Sequence, residues 1–364
     1  MEHRAKTRIG LVGPSPPPYG GMANQTRQLL NLLESEGIDV GFVQTNSPYR
    51  PGFIENVKGL RALFRLIPYL LRLWKLAGET GVFHIMANSG WSWQLFTAPA
   101  VWIAWLRNTR VIINYRGGNA GDYLKESITY VRPTMKKADA IVVPSGYLKD
   151  IFSSFGIETT VIPNIIDMSR FKVEKKVYLS WPIVSPHLVV TRNLEPIYGI
   201  DTAIKAVAVL HESIPEIKLT IAGSGPQKKE LEDLVTHLGI ENAVSFTGKL
   251  RPEDIVALYQ SADIMLNPTT VDNMPNSLLE ALACGIPIIS TNAGGIPYLV
   301  EDERTALLVD IGDIQGMAKQ VKRLLGDKLL FENMVRNGLE EAGQYTWPLI
   351  REKWLNVYVA ALVT

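Results

Sequence analysis

The sequence predicts an α/β protein of two doubly wound, Rossmann-like lobes facing a cleft, and three observations carry that expectation. Apolar runs in both halves are continuous rather than alternating, which marks strands buried on both faces of a parallel sheet. Stretches with helical period separate them, so each half reads as a succession of βαβ units. The length of 364 residues suits two domains better than one.

In chain order, Arg8–Val12, Val40–Gln44, Val82–Ala87, Val111–Asn114 and Ala140–Pro144 are the strands expected in the first half. Leu188–Thr191, Leu219–Ala222, Val244–Thr247, Ile264–Asn267 and Pro287–Ser290 are those of the second. Thr26–Glu36, Gly199–Ser213 and Gln227–Leu238 read as helices between them. The charged, proline-bearing stretch Lys172–Pro186 reads as a linker, dividing the chain into lobes at 1–172 and 173–346. A last helix, Trp347–Leu362, is expected to pack back on the first lobe, which residues 347–364 then join. Ligands of such lobes bind beyond the carboxyl ends of the strands, so the loops that follow strands are where chemistry is sought.

Composition narrows the classes. Hydrophobic residues at 46% and charged residues at 20% exclude a disordered or collagen-like chain. The one cysteine, Cys284, excludes a disulfide scaffold and a cysteine metal cluster, and fits a reducing, cytoplasmic setting. Net charge is +1, but residues 1–172 carry 20 Lys and Arg against 12 Asp and Glu, and the remainder carries 17 against 24. A basic half beside an acidic half points to an anionic partner for the first lobe. The charged N-terminal stretch predicts no signal peptide. Val82–Leu106 lacks charge but divides into a strand, a loop at Asn88–Ser92 and a helix over Leu95–Leu106 containing Pro99, so it is not expected to span a membrane.

Two segments carry candidate chemistry. Pro14-Ser15-Pro16-Pro17-Pro18-Tyr19-Gly20-Gly21 links the first strand to a helix. It is not the Gly-x-Gly-x-x-Gly dinucleotide fingerprint, but Gly20 and Gly21 let a phosphate or sugar approach the positive helix end; a proline-stiffened turn is the plainer alternative. The second segment is Asp272-Asn273-Met274-Pro275-Asn276-Ser277-Leu278-Leu279-Glu280. Pro275 suits a first helical turn, placing Asp272 in the preceding loop and Glu280 in the helix. Ser277, Glu280 and Cys284 share one face, and Leu278, Leu279 and Leu282 point to the core. Glu280 has no Lys or Arg within four residues. A carboxylate so placed accepts hydrogen bonds well from a ribose diol, the alternative being a solvated surface glutamate.

These motifs resemble those of the family 4 glycosyltransferases, retaining enzymes of the two-lobed GT-B type, from Gly20-Gly21 to the C-terminal helix. The family's two glutamates with seven residues between them fall on Asp272 and Glu280. The resemblance implies that Glu280 binds the nucleotide ribose and Asp272 the donor sugar, with Asn273, Met274, Pro275, Asn276 and Ser277 lining the donor. Pro163-Asn164-Ile165-Ile166-Asp167, Ala222-Gly223-Ser224-Gly225-Pro226, Phe246-Thr247-Gly248, Ala283-Cys284-Gly285-Ile286-Pro287 and Asn292-Ala293-Gly294-Gly295 also match. It implies a nucleotide-sugar donor, with UDP as the commonest base, no other cofactor, an acceptor-side first lobe and a donor-binding second lobe.

Two positions depart from the family. Its arginine and lysine that grip the donor diphosphate fall on Arg192 and Tyr198, so the cation there is Arg192 alone. Where the family has a histidine before glycine touching the donor sugar, this chain has Arg116 in Asn114-Tyr115-Arg116-Gly117-Gly118. Arg116 is expected to meet an anionic group, a donor carboxylate or a phosphate, or else to pair structurally with Asp122 or a helix C-terminus. No Asp-x-Asp occurs and the five histidines are scattered, so no metal site is expected.

Lys58, Arg61, Arg65, Arg72 and Lys75 interleave with Leu60, Leu63, Phe64, Leu66, Ile67, Leu70, Leu71 and Trp74, with Pro68 expected to split the segment. Trp91, Trp93, Trp102 and Trp105 follow. Such a pattern suits an anionic membrane surface and a lipid-linked or polysaccharide acceptor, or a sheet-packed helix with a solvated basic face. No nucleic-acid recognition module is present. The expected function is retaining, metal-independent transfer of a sugar to a hydroxyl acceptor. A nucleotide-sugar epimerase of the same fold, or a catalytically silent partner of a glycan assembly complex, is the alternative.

Overall fold

The computed structural model describes residues 8–48, 60–173 and 181–363, with side chains from residue 64 onward in the second stretch. The chain divides into two compact units, Met1–Asn164 with Trp347–Thr364, and Ile165–Thr346. The division falls at 164/165, where the sequence pattern pointed to 172/173.

In the first unit, β1 (Ile9–Gly13), β2 (Val40–Gln44), β3 (Val82–Ala87), β4 (Arg110–Tyr115), β5 (Ala140–Val143) and β6 (Thr160–Val161) form one sheet. Its order is β2-β1-β3-β4-β5-β6 with every pair parallel, so the chain reverses direction across the sheet between β1 and β3. Helices α1 (Gly21–Ser35), α2 (Leu60–Glu79), α3 (Ala98–Leu106), α4 (Ala120–Met135) and α5 (Gly146–Ser154) cross between strands. All six residues of β3 are buried, which is why that stretch reads as an unbroken apolar run.

Two prolines behave differently from the sequence expectation. Helix α2 runs through Pro68 without a break. Burial of Tyr69, Leu73, Leu76 and Ala77 on its inner side outweighs the single lost backbone hydrogen bond. Pro99 does not interrupt its helix either: a π-helical turn over Trp93–Thr97 leads into α3, whose first turn tolerates a residue without an N–H.

In the second unit, β7 (His187–Val190), β8 (Lys218–Ala222), β9 (Val244–Gly248), β10 (Ile264–Asn267), β11 (Ile288–Thr291) and β12 (Leu307–Val309) form a parallel sheet in the order β12-β11-β10-β7-β8-β9. Its crossover helices are α6 (Ile200–His211), α7 (Lys228–His237), α8 (Pro252–Ser261) and α9 (Asn276–Ala283), and α10 (Ile314–Gly326) and α11 (Lys328–Gly343) follow the last strand. Counted within the unit this is the doubly wound 3-2-1-4-5-6 arrangement, with its switch point between β7 and β10. Both sheet faces are covered, one by a core including Leu188, Val190, Ile204 and Val207, the other by Val189, Met265, Leu278 and Leu282.

The last helix, α12 (Trp347–Val363), belongs to the first unit. Arg351 pairs with Glu36 at 3.2 Å, and Trp347 Nε1 donates to the same carboxylate at 2.9 Å. Trp354 and Tyr358 are buried. Each of the ten expected strands is present to within one residue at either end; β6 and β12, both short edge strands, are additional. The expected linker at 172–186 lies partly outside the described residues.

Candidate active site

The loops after β7 and β10 flank the switch point of the second sheet, where a doubly wound fold leaves its crevice. Arg192 stands two residues beyond β7 and Asp272 in the loop between β10 and α9. Although 80 residues apart, they form an ion pair, Arg192 Nη2 to Asp272 Oδ2. Their side chains are only 11% and 15% exposed, so the pair is largely desolvated and removing either member would strand the other.

Three further contacts hold this pair in place. Arg192 Nη1 donates to Ser277 Oγ at 3.3 Å. The Asn273 N–H donates to Asp272 Oδ1 at 2.9 Å. The guanidinium lies over the Tyr198 ring, 4.2 Å from its centroid, so Tyr198 meets Arg192 with its π-face. Burial lowers the Arg192 pKa, with Tyr198, Tyr259 and Glu280 opposing, and a guanidinium remains charged throughout.

Beneath the pair lies a second polar cluster. The Tyr259 hydroxyl donates to Glu280 Oε2 at 3.1 Å and lies 2.7 Å from Thr191 Oγ1. Because Tyr259 has one proton, Thr191 is the donor in that second contact. Burial pushes the Glu280 carboxyl up to about 7, against the Tyr259 hydrogen bond and the charges of Arg170 and Arg192. Glu280 Oε1 has no hydrogen-bond partner among the described residues and is free to accept.

Close backbone approach explains two of the glycines. A Cβ on Gly223 would sit 1.9 Å from the Arg192 carbonyl oxygen, and one on Gly295 would sit 1.9 Å from that of Asn273. The loops after β8 and β11 therefore press against the loops carrying Arg192 and Asp272. The Gly295 N–H donates to the Asp272 carbonyl at 2.7 Å, and the Leu194 N–H to that of Ser224 at 3.1 Å. Gly223 supports Arg192 from behind.

The structure thus brings together Arg192, Tyr198, Asp272 and Ser277, with Glu280 joined to them through Tyr259 and Thr191. Asn273, Met274 and Pro275 are buried, and Met274 packs in the core beside Leu278. Pro275 caps α9 and Asn276 opens it, one position later than the sequence pattern placed the helix start. Gly20 and Gly21 stand in the first unit: Gly20 is the extended N-cap of α1, with no side-chain cap and no acid in the first turn. Arg116 is also in the first unit, and it makes no ion pair with Asp122; its Nε donates to Asn114 Oδ1 at 2.8 Å. Tyr259, Thr191 and Arg170 were not anticipated, because a tyrosine within an apolar helix reads as core. Among the described residues, no three of His, Cys, Asp and Glu cluster into a metal-holding set.

Comparisons with known proteins match both units. A family model described as Glycosyl transferases group 1 matches residues 183–341, and one described as Glycosyltransferase Family 4 matches residues 19–170. The chain is 28% identical over 267 residues to the lipopolysaccharide core biosynthesis glycosyltransferase LpsE of Rhizobium meliloti, covering 71% of this chain and 75% of that protein. It is 33% identical over 168 residues to N-acetyl-alpha-D-glucosaminyl L-malate synthase of Bacillus anthracis, covering 46% of this chain and 42% of that one. Among solved structures, sucrose-phosphate synthase from Thermosynechococcus elongatus superposes with a TM-score of 0.76 at 20% identity, covering 97% of this chain and 98% of that one. Anabaena HepE in complex with UDP superposes with a TM-score of 0.75 at 18% identity, covering 97% and 100%. The parallel α/β architecture is that of GT-B glycosyltransferases, and the chain belongs to the family 4 glycosyltransferases.

Proposed function

We propose that this glycosyltransferase takes its sugar from a nucleoside diphosphate sugar, UDP by preference, and passes it to a hydroxyl acceptor with retention of configuration and without a divalent metal. The observation that carries this reading is the Arg192–Asp272–Ser277 cluster at the switch point, with Glu280 a turn further along α9. In this reading Glu280 accepts from the ribose hydroxyls through Oε1. Arg192 meets the charge growing on the leaving diphosphate, assisted by backbone N–H groups at helix N-termini. Asp272, freed from Arg192 as the diphosphate arrives, accepts from a hydroxyl of the donor sugar. The second unit is thus the donor lobe and the first the acceptor lobe.

The test is consumption of UDP-, GDP- and ADP-glucose by the full chain in excess EDTA, read as nucleotide release. One donor is expected to be consumed at a rate that EDTA leaves unchanged. Consumption that stops in EDTA would refute metal independence, and failure of all three would refute transfer from these donors.

The acceptor reading rests on the outer surface of the first unit. Phe64, Ile67, Leu71 and Trp74 recur at helical spacing along α2, and all are exposed. Trp102 and Trp105 on α3 are exposed as well, Lys137 lies 3.8 Å from the Trp105 centroid, and Arg107 lies 4.9 Å from that of Trp74. Aromatic rings interleaved with cations suit an anionic bilayer surface, and with it a lipid-linked or polysaccharide acceptor on the cytoplasmic face. Lys58 lies outside the described residues, as do the side chains of Leu60, Arg61 and Leu63. Among the described residues, no helix is long and apolar enough to cross a membrane. The chain is expected to float with vesicles containing phosphatidylglycerol and not with neutral ones. Trp74→Ala with Trp105→Ala should reduce the bound fraction several-fold, and equal flotation with both vesicle types would contradict the reading.

A further inference from the structure

Arg116, directly after β4, makes no ion pair among the described residues. Its backbone is still tied to the sheet, the N–H donating to the Ala87 carbonyl at 2.9 Å. Its Nη1 is closed off from solvent and has no hydrogen-bond partner among the described residues. Burial pulls the Arg116 guanidinium down to about 10, and no acidic side chain opposes that shift. A desolvated cation without a counter-ion is costly, so its retention calls for an explanation outside the fold's own stability.

A buried chain of hydrogen bonds fixes where this cation points. Arg116 Nε donates to Asn114 Oδ1 at 2.8 Å, so the amide nitrogen of Asn114 must be the end that faces His84 Nε2, also at 2.8 Å. Nε2 is then an acceptor, which puts the imidazole proton on Nδ1, donated to Tyr358 Oη at 2.7 Å. Burial, helped by the Arg116 charge, pushes His84 down to about 3, so it stays neutral at ordinary pH. The Trp354 ring covers the imidazole at 4.6 Å between centroids. Among the described residues, the guanidinium's other two nitrogens stay unpartnered: Nη1, which is sealed, and Nη2, which is not closed off from solvent.

Two residues on, Gly118 is exposed, with nothing within 4 Å of where a Cβ would stand. Asn119 caps the 16-residue α4 without a side-chain hydrogen bond, leaving first-turn N–H groups to other acceptors. We propose that Arg116 anchors an anion-binding site in the first unit that takes a carboxylate or phosphate of a substrate, with Asn114, His84 and Tyr358 as positioning residues. That the anion belongs to a sugar substrate rests on the transferase reading; the site itself does not. A guanidinium offers a planar set of donors to two oxygens of one anion, whereas a neutral hydroxyl would leave its charge uncompensated.

Two sources of the anion are separable by titrating the full chain. UDP-glucuronate against UDP-glucose reads a carboxylate on the donor sugar, and glucose 6-phosphate against glucose reads a phosphate on the acceptor. The wild type is expected to prefer the anionic member of one pair by about tenfold or more. Arg116→Ala should abolish that preference while leaving UDP affinity unchanged, and Arg116→Lys should keep part of it. Should Arg116→Ala not fold, Arg116→Gln carries the same test. Tyr358→Phe should weaken the preference and change the nitrogen chemical shifts of His84, a readout that general loosening of α12 would not give without loss of thermal stability. A wild type indifferent within both pairs, or a preference that survives Arg116→Ala, would overturn the proposal. UDP binding with neither preference defeats the anion site alone, whereas a glucose 6-phosphate preference without UDP binding defeats the donor reading alone.

Discussion

Arg192→Ala is expected to lower kcat by about 10²–10³, the usual cost of removing a preorganised donor to transition-state charge. The size follows from its isolation: the position where a second cation would stand is Tyr198, whose ring stacks on the guanidinium and adds no charge. The same substitution strands Asp272, a side chain only 15% exposed, and should cost about 3 kcal/mol of stability. Asp272→Asn separates the two effects, because it removes the stranded charge and keeps the side-chain shape. The double variant Arg192→Ala with Asp272→Asn should regain most of the stability and none of the activity. Steady-state kinetics and thermal melting on the three variants check this. A double variant with wild-type kcat would remove Arg192 from the chemistry.

The second large effect is the pH dependence of nucleotide binding through Glu280. Its carboxyl is held at about 7 in the folded chain against an ordinary 4.5. Between those values the folded state binds more protons than the unfolded state, so this group's contribution to stability is greatest at low pH and falls as pH rises towards 7. Ligand binding has the opposite sign. In the proposed role ribose hydroxyls would donate to the carboxylate, so nucleotide affinity should rise as pH climbs from 6 to 8, by about tenfold for one group ionising in that window. Binding should release a proton, visible as a binding enthalpy that depends on the buffer. Glu280→Gln should flatten the pH profile, and a pH-independent wild type would contradict the assigned role.

The same contrast between local and distant information runs through the fold and the site. Val82–Ala87 and Ile264–Asn267 are legible as strands because burial on both faces demands an unbroken apolar run. Thr160–Val161 and Leu307–Val309 are not, since short edge strands need only part of that pattern. Pro68 misleads because local propensity counts the lost hydrogen bond and not the packing of Tyr69 and Leu73.

In the site, the spacing of Asp272 and Glu280 can be read from one segment. The partner that holds Asp272 is 80 residues away and shows in no local pattern. Gly223 shows in the sequence only as part of a matching motif, and the structure gives it a steric task behind Arg192. Tyr198 shows in the sequence as a missing cation, and only the structure lays its ring against Arg192. Arg116 reads as a cation awaiting an anion, and only the folded chain reveals that Asn114, His84 and Tyr358 hold it.

The central claim is that the second unit holds a nucleoside diphosphate through Glu280. Calorimetric titration of the wild type and of Glu280→Ala with UDP, GDP and ADP at pH 8 tests it most directly. One nucleotide, UDP by preference, should bind the wild type, and its affinity should collapse in the variant. Absence of binding by all three to the wild type, or equal affinity in the variant, would contradict it.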